Sequence, residues 1–115
     1  MKKIIFLMLL LAFACEDSFK DNPESDLVFI ASEGTFGDGN GSISVFQGEE
    51  EIQVIENLGD VVQSLLVHQD KLFVIVNNSH LIKRYSITES GLSLPGIEVS
   101  MDNSSPREMV VVDNK

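Results

Sequence analysis

Residues 63–87 read QSLLVHQDKLFVIVNNSHLIKRYSI, and this stretch predicts three short strands in a row. The strands cover residues 63–69, 71–77 and 81–87, and turn residues separate them. The middle strand contains the unbroken apolar run LFVIV, which is typical of a strand buried on both faces. The third strand mixes apolar with charged residues, as expected nearer to solvent. The stretch is therefore predicted to form a small antiparallel meander.

Both flanks repeat this pattern. LVFIA at residues 27–31 aligns with LFVIV, and IQV at 52–54 aligns with IEV at 97–99, each at an offset of 45 residues. Residues 63–71 align with 107–115 at an offset of 44. Four short strands every 40–45 residues or so is the period of a β-propeller blade. A β-sandwich also joins short strands through turns and stays open as an alternative. The repeat favours blades, because three separate strands share nearly one offset.

The chain opens with a predicted lipoprotein signal peptide, residues 1–14. Two lysines precede an apolar run that is too short for a bilayer-spanning helix, which needs about 20 residues. Small residues precede the single cysteine, Cys15, in a pattern that resembles the lipobox of bacterial lipoproteins. The resemblance implies that Cys15 is lipidated and anchors the chain to the membrane. The alternative is a free thiol near an ordinary cleavage site. A lone cysteine cannot form an intramolecular disulfide, which favours lipidation.

Residues 15–26 are acidic and polar and are predicted to form a flexible tether. Acidic residues after the cysteine resemble the surface-export signal of Bacteroidetes lipoproteins. This implies an outer-membrane lipoprotein at the cell surface, and the periplasmic face stays open. Loss of the two leader lysines changes the net charge from −10 to −12, because 18 acidic residues then face 8 − 2 = 6 basic ones. Such a chain is repelled by nucleic acid, which is therefore excluded as a partner.

Residues 27–115 are expected to form the start of a β-propeller: two blades and the first strand of a third. The predicted strands outside the central stretch cover residues 27–32, 42–47, 52–56, 97–100 and 107–113. The first blade lacks its inner strand, and residues 107–113 form a first strand with no second strand after it. Propellers have roughly four to eight blades, so the chain is expected to be the N-terminal fragment of a longer protein.

Blade geometry predicts where a ligand would bind. In a blade of strands a to d, the b–c and d–a loops emerge on one face, so loops 33–41, 58–61, 77–80 and 102–106 share one rim. Their side chains suit hydrogen bonding to a large polar ligand. Residue by residue, turn formation is the more common reason for amides, acids and serines in such loops, but it does not require an arginine. Asp38, Asp60 and His80 also lie on the rim, and the main ligand-binding candidates are Glu33, Phe36, Asn40, Asn77, Asn78 and Arg107.

Metal binding and catalysis find little support in the sequence. Asp38, Asn40 and Ser42 alternate like the start of an EF-hand loop, but an isoleucine stands where that loop needs glycine, so a hairpin loop is predicted. Two histidines 12 residues apart do not have the spacing of metal ligands. The sequence contains no nucleophile elbow, HExxH, CxxC or phosphate-binding glycine loop. No catalytic residue, metal or cofactor is therefore predicted.

Three stretches resemble the opening of the YncE-like, YVTN-type β-propeller lipoproteins of Bacteroidetes. They are LVFIASEGTFGDGNGSISVF, GDVVQSLLVHQDKLFVIVNNSHLIKRYSI and NSSPREMVVVDNK, and the resemblance covers residues 27–115. Ser32 replaces an asparagine of the family pattern, and Phe73 replaces its usual tyrosine. The residues that match the family motifs are Glu33, Gly34, Phe36, Asn40, Ser42, Ile43, Ser44, Gln63, Ser64, Asn77, Asn78, Ser79, Ser105, Pro106 and Arg107.

The resemblance implies a lipid-anchored propeller of seven blades whose members mostly lack an assigned reaction. One branch captures cobalamin at the cell surface and caps a TonB-dependent transporter, and this sequence is similar to that branch in its anchor and opening motifs. A non-enzymatic binding protein is therefore expected. The alternatives are a propeller enzyme, such as a lactonase or quinoprotein dehydrogenase with its active site in further blades, and a surface adhesion protein.

Overall fold

A computed structural model describes residues 26–113 of the chain. The predicted signal peptide, Cys15 and nearly all of the tether lie outside the described residues. The described part is all-β and contains no helix that could cross a membrane. Its strands are β1 (Leu27–Ser32), β2 (Ser42–Gln47), β3 (Glu50–Ile55), β4 (Val62–His68), β5 (Lys71–Val76), β6 (Leu81–Thr88), β7 (Gly91–Leu92) and β8 (Ile97–Ser100).

The first sheet consists of three consecutive antiparallel strands in the order β1-β2-β3. Gly48 at φ 61° makes the tight turn between β2 and β3. On β2, Ile43 and Val45 are fully buried. Alternate residues of β1 point toward the same core, because side chains alternate between the two faces of a strand. The opposite face of β1 carries Val28 and Ile30, which are about half exposed.

The second sheet continues the meander in the order β4-β5-β6, and β7 and β8 share the free edge of β6. On β5, Leu72, Val74, Ile75 and Val76 have no solvent exposure. The prediction of a strand buried on both faces is therefore confirmed. The third strand of the meander, β6, is more exposed to solvent, as expected. Its Lys83 forms an ion pair with Glu98 of β8, at 2.8 Å.

The two sheets stack face to face around one core. Buried apolar side chains of both sheets form a single cluster. β1 lies beside β4 at one edge, and β3 lies beside β7 at the other. At this second edge the Gln53 amide bridges the sheets: its Nε2 donates to the Leu92 carbonyl at 3.0 Å, and its Oε1 accepts from the Leu92 N–H at 2.7 Å. The arrangement is two layers in chain order, joined by residues 56–61.

The predicted strand at residues 107–113 is wrong, because these residues form no strand. A strand needs a neighbour that accepts and donates its backbone hydrogen bonds, and no described strand supplies one. The segment instead lies across the far face of the second sheet. There Met109, Val110 and Val111 line a cleft of about 160 Å³ with Leu66, His68 and Phe73. Residues 109–111 therefore lie on the side of the second sheet that faces away from the first sheet.

The packing distinguishes the two offsets found in the sequence. An offset of 45 aligns Phe29 with Val74, whose side chains both pack into the single core from opposite sheets. An offset of 44, which residues 63 and 107 show, aligns Phe29 with Phe73, which lines the cleft on the far face of the second sheet.

Candidate functional site

The structure brings the four predicted loops together at one end of the two sheets. Loop 33–41 joins loop 58–61 through reciprocal bonds: the Gly41 N–H donates to the Gly59 carbonyl at 3.0 Å, and the Leu58 N–H donates to the Gly41 carbonyl at 2.9 Å. Loop 77–80 joins the same neighbour through the Asn77 N–H, which donates to the Val61 carbonyl at 2.8 Å. We call this surface the loop end.

The fourth loop joins through side chains. The Asn77 Nδ2 donates to the Pro106 carbonyl at 2.9 Å. The His80 Nδ1 lies 2.7 Å from the Ser104 carbonyl, so this nitrogen carries the proton and donates. Two residues of loop 77–80 therefore hold loop 102–106 in place, and the loop end is continuous across both sheets.

Asp60 is the centre of this network. Its Oδ1 accepts from the Gly37 N–H at 2.9 Å, and its Oδ2 accepts from the Asn78 side-chain amide. Its own N–H donates to the Ser79 hydroxyl at 2.8 Å. Hydrogen bonds to an ionised carboxylate are roughly twice as strong as neutral ones. One side chain thus ties a loop of the first sheet to a loop of the second.

Gly59 lets the loops approach this closely. Its φ is 138°, a conformation that L side chains rarely adopt. A Cβ placed there would lie 2.7 Å from Val76 Cγ1 and 2.8 Å from Ser79 Oγ. Only glycine fits between these two side chains without displacing them.

The amide candidates therefore have structural roles. Asn77 and Asn78 bond to neighbouring loops, and the Asn40 Oδ1 accepts from the Thr35 N–H at 2.7 Å inside its own loop. These side chains use hydrogen-bonding capacity within the protein, as the turn-forming interpretation expected. The sequence located them correctly at the loop end but did not reveal which partners they bind.

Three predicted site residues remain directed to solvent. Phe36, within loop 33–41, is 76% exposed, and Glu33 and Arg107 are also exposed. Among the described residues the ion pairs are Lys71–Asp70 and Lys83–Glu98, so Arg107 takes part in neither. The loop end thus offers an aromatic ring, an acid and a cation on a scaffold that is fixed by hydrogen bonds.

No group of three or more metal-binding side chains occurs between residues 26 and 113. The EF-hand-like residues are placed accordingly: Asn40 closes its own loop, and Ser42 begins β2. Burial raises the pKa of Tyr85, and the Glu98 carboxylate raises it further; the side chain belongs to the core between the sheets.

Comparisons with known proteins find no match to this chain among protein-family models, curated protein sequences or solved structures.

Proposed function

We propose that this chain is a ligand-binding protein built from β-propeller blades and anchored to the outer membrane through lipidated Cys15. Three features of the fold support blades. Each sheet is a meander of consecutive strands, the sheets stack in chain order with like edges adjacent, and residues 109–111 lie on the far face of the second sheet, where a third blade would begin. Greek-key sandwiches instead join strands across their two sheets.

The observation that carries the binding function is the loop end. Binding residues commonly sit on loops that a rigid scaffold positions. Here hydrogen bonds of Asp60 join three of the loops, and bonds from Asn77 and His80 hold the fourth. Phe36 and Glu33 stay exposed on the first loop, and Arg107 stays exposed directly after the fourth. Aromatic residues, phenylalanine included, and arginine are enriched in the cores of protein interfaces.

The ligand class that we propose is a corrinoid such as cobalamin, captured for a TonB-dependent transporter. The corrin ring bears several amide side chains, which can donate to the Glu33 carboxylate and accept from the Arg107 guanidinium. The Phe36 ring, at 76% exposure, has surface to cover the apolar part of the ligand. The resemblance of the opening motifs to the cobalamin-capturing branch supports this choice.

Isothermal titration of the full chain with cobalamin tests the proposal. We expect saturable heat, and we expect Phe36→Ala and Arg107→Ala each to weaken binding by about 30-fold, the equivalent of a 2 kcal/mol hot spot. Glu89→Ala is the matched control, because Glu89 is exposed in the turn after β6, at the opposite end of the sheet. Absence of heat removes the corrinoid. If cobalamin binds and neither Phe36→Ala nor Arg107→Ala weakens the binding, the loop end is not the binding site.

A further inference from the structure

Phe36, the exposed aromatic residue of the loop end, lies in the middle of loop 33–41. Backbone hydrogen bonds at Glu33 and Gly41 tie the two ends of this loop to residues 58–62. Three glycines between these ends have a positive φ. Glycine leaves the backbone more conformational freedom than any other residue, so the middle of the loop needs a separate anchor if Phe36 is to keep one position.

Asp60 supplies an anchor at this point. The Gly37 N–H belongs to the peptide group directly after Phe36, and it donates to the Asp60 Oδ1 at 2.9 Å. A hydrogen bond to this peptide group fixes the backbone that carries the Phe36 side chain. The acceptor is a carboxylate, and bonds to ionised groups are stronger than bonds between neutral ones.

The backbone around Asp60 is strained, and the second sheet holds it in place. Val61 has φ 63°, a left-handed conformation that is rare for a β-branched residue. Such outliers persist where surrounding bonds hold them, and they cluster at ligand-binding sites. Here the Asn78 N–H donates to the Asp60 carbonyl at 3.1 Å, and the Asn77 N–H donates to the Val61 carbonyl at 2.8 Å. The strained turn therefore directs the Asp60 carboxylate toward the loop of the first sheet.

The same set of bonds reaches the exposed arginine. The Asp60 Oδ2 accepts from the Asn78 side-chain amide. The neighbouring Asn77 Nδ2 donates at 2.9 Å to the carbonyl of Pro106, the residue before Arg107. One network thus joins the backbone beside the exposed aromatic ring to the backbone beside the exposed arginine.

We propose that Asp60 is a positioning residue of the loop end: it fixes the Phe36–Gly37 peptide and so holds the Phe36 ring ready for the ligand. A site that is ordered before binding has higher affinity, because less of the loop must be ordered when the ligand arrives. The effect on affinity rests on the binding function proposed above. The effect on the loop does not depend on which ligand binds.

Hydrogen exchange of the Gly37 amide, followed by NMR on the full chain in a mild detergent, tests the effect on the loop. Asp60→Ala removes the acceptor of this amide, so we expect its exchange rate to rise about tenfold, as for the loss of one hydrogen bond. Asp38→Ala is the matched control, because Asp38 is an exposed acid on the same loop whose side chain takes no part in the network. The control is expected to leave the Gly37 rate unchanged.

A swap of two side chains separates positioning from a general loss of stability. Asn78→Asp leaves two carboxylates facing each other, and their repulsion is expected to draw Asp60 away from the Gly37 N–H. Addition of Asp60→Asn restores a matched pair, with the amide oxygen at position 60 accepting from Gly37 and its nitrogen donating to the new carboxylate. The Gly37 exchange rate is therefore expected to rise in the single variant and to return to the natural rate in the double variant.

Titration with cobalamin tests the effect on affinity. We expect Asp60→Ala to weaken binding about tenfold in the natural chain and to have no further effect in the Phe36→Ala chain, because Asp60 acts through Phe36. Equal weakening in both chains, or a Gly37 exchange rate that Asp60→Ala does not change, overturns the inference. If the exchange rates respond as expected and cobalamin gives no heat, positioning by Asp60 is supported and the proposed ligand alone is overturned.

Discussion

Replacement of Gln53 by alanine tests how the two sheets are held together at the edge where β3 lies beside β7. The Gln53 amide makes both of its bonds to the backbone of one residue, Leu92, which is 5% exposed. Deletion of the amide leaves a buried N–H and a buried C=O without these partners. Each such group costs about 1–3 kcal/mol, so we expect a loss of about 2–4 kcal/mol, with some relief from water that enters the gap. This is a large part of the roughly 5–15 kcal/mol that stabilises an ordinary domain.

Urea unfolding of the full chain at one fixed protein concentration measures this loss, since association would otherwise shift the midpoint. Gln63→Ala is the matched control, because Gln63 is exposed on β4, and a change within about 0.5 kcal/mol is expected there. Gln53→Glu keeps the acceptor for the Leu92 N–H but loses the donor to the Leu92 carbonyl. Its free energy of unfolding is therefore expected to lie between those of Gln53→Ala and Gln63→Ala. Equal midpoints for Gln53→Ala and Gln63→Ala would refute the bridge between the sheets.

Two further predictions concern the loop end and the core. Gly59→Ala is expected to lower the free energy of unfolding by about 2–4 kcal/mol, because the new methyl group crowds Val76 and the backbone is strained. Gly39→Ala has open space around the new methyl group and is expected to lose only about 1 kcal/mol. Similar urea midpoints for the two variants would contradict the close approach of the loops at Gly59. Burial, and secondarily Glu98, raises the pKa of Tyr85 above its unfolded value near 10, so its contribution is complete below that pH and is lost as pH rises through the folded pKa. Unfolding measured from pH 8 to 11 should therefore show a steeper alkaline loss for the natural chain than for Tyr85→Phe, and parallel curves would count against the buried phenol.

Local sequence was enough to predict most strands of the fold. LFVIV has no polar residue that could face water, and Gly48 and the NNSH turn mark chain reversals, so β2, β5 and β6 follow from neighbouring residues alone. Strand β7 was missed, because Gly-Leu beside a proline-containing loop has no strand pattern of its own. Residues 107–113 carry a strand pattern, but a pattern cannot supply the neighbour with which a strand must pair.

The loop end was predicted in place but not in detail. Chain direction alone determines which loops share an end, and the hydrogen bonds between the four loops agree with it. The partner of each asparagine depends on contacts between distant residues, such as Asn77 with Pro106, which spacing does not reveal. The role of Gln53 could not be predicted either, because a glutamine on a strand with several charged residues is usually exposed to solvent.

The far border of the second sheet differs sharply from the border of the first sheet at β1, with which no further strand pairs within residues 26–113. The edge beyond β6 is formed by two short strands, the two-residue β7 and the four-residue β8, and a proline lies in the loop between them. A run this brief and interrupted is a poor template for foreign β-segments, because few amide groups align in succession. Of these two edges, the one formed by β7 and β8 is therefore the poorer site for pairing with a further β-strand, and edge-to-edge association through it is disfavoured.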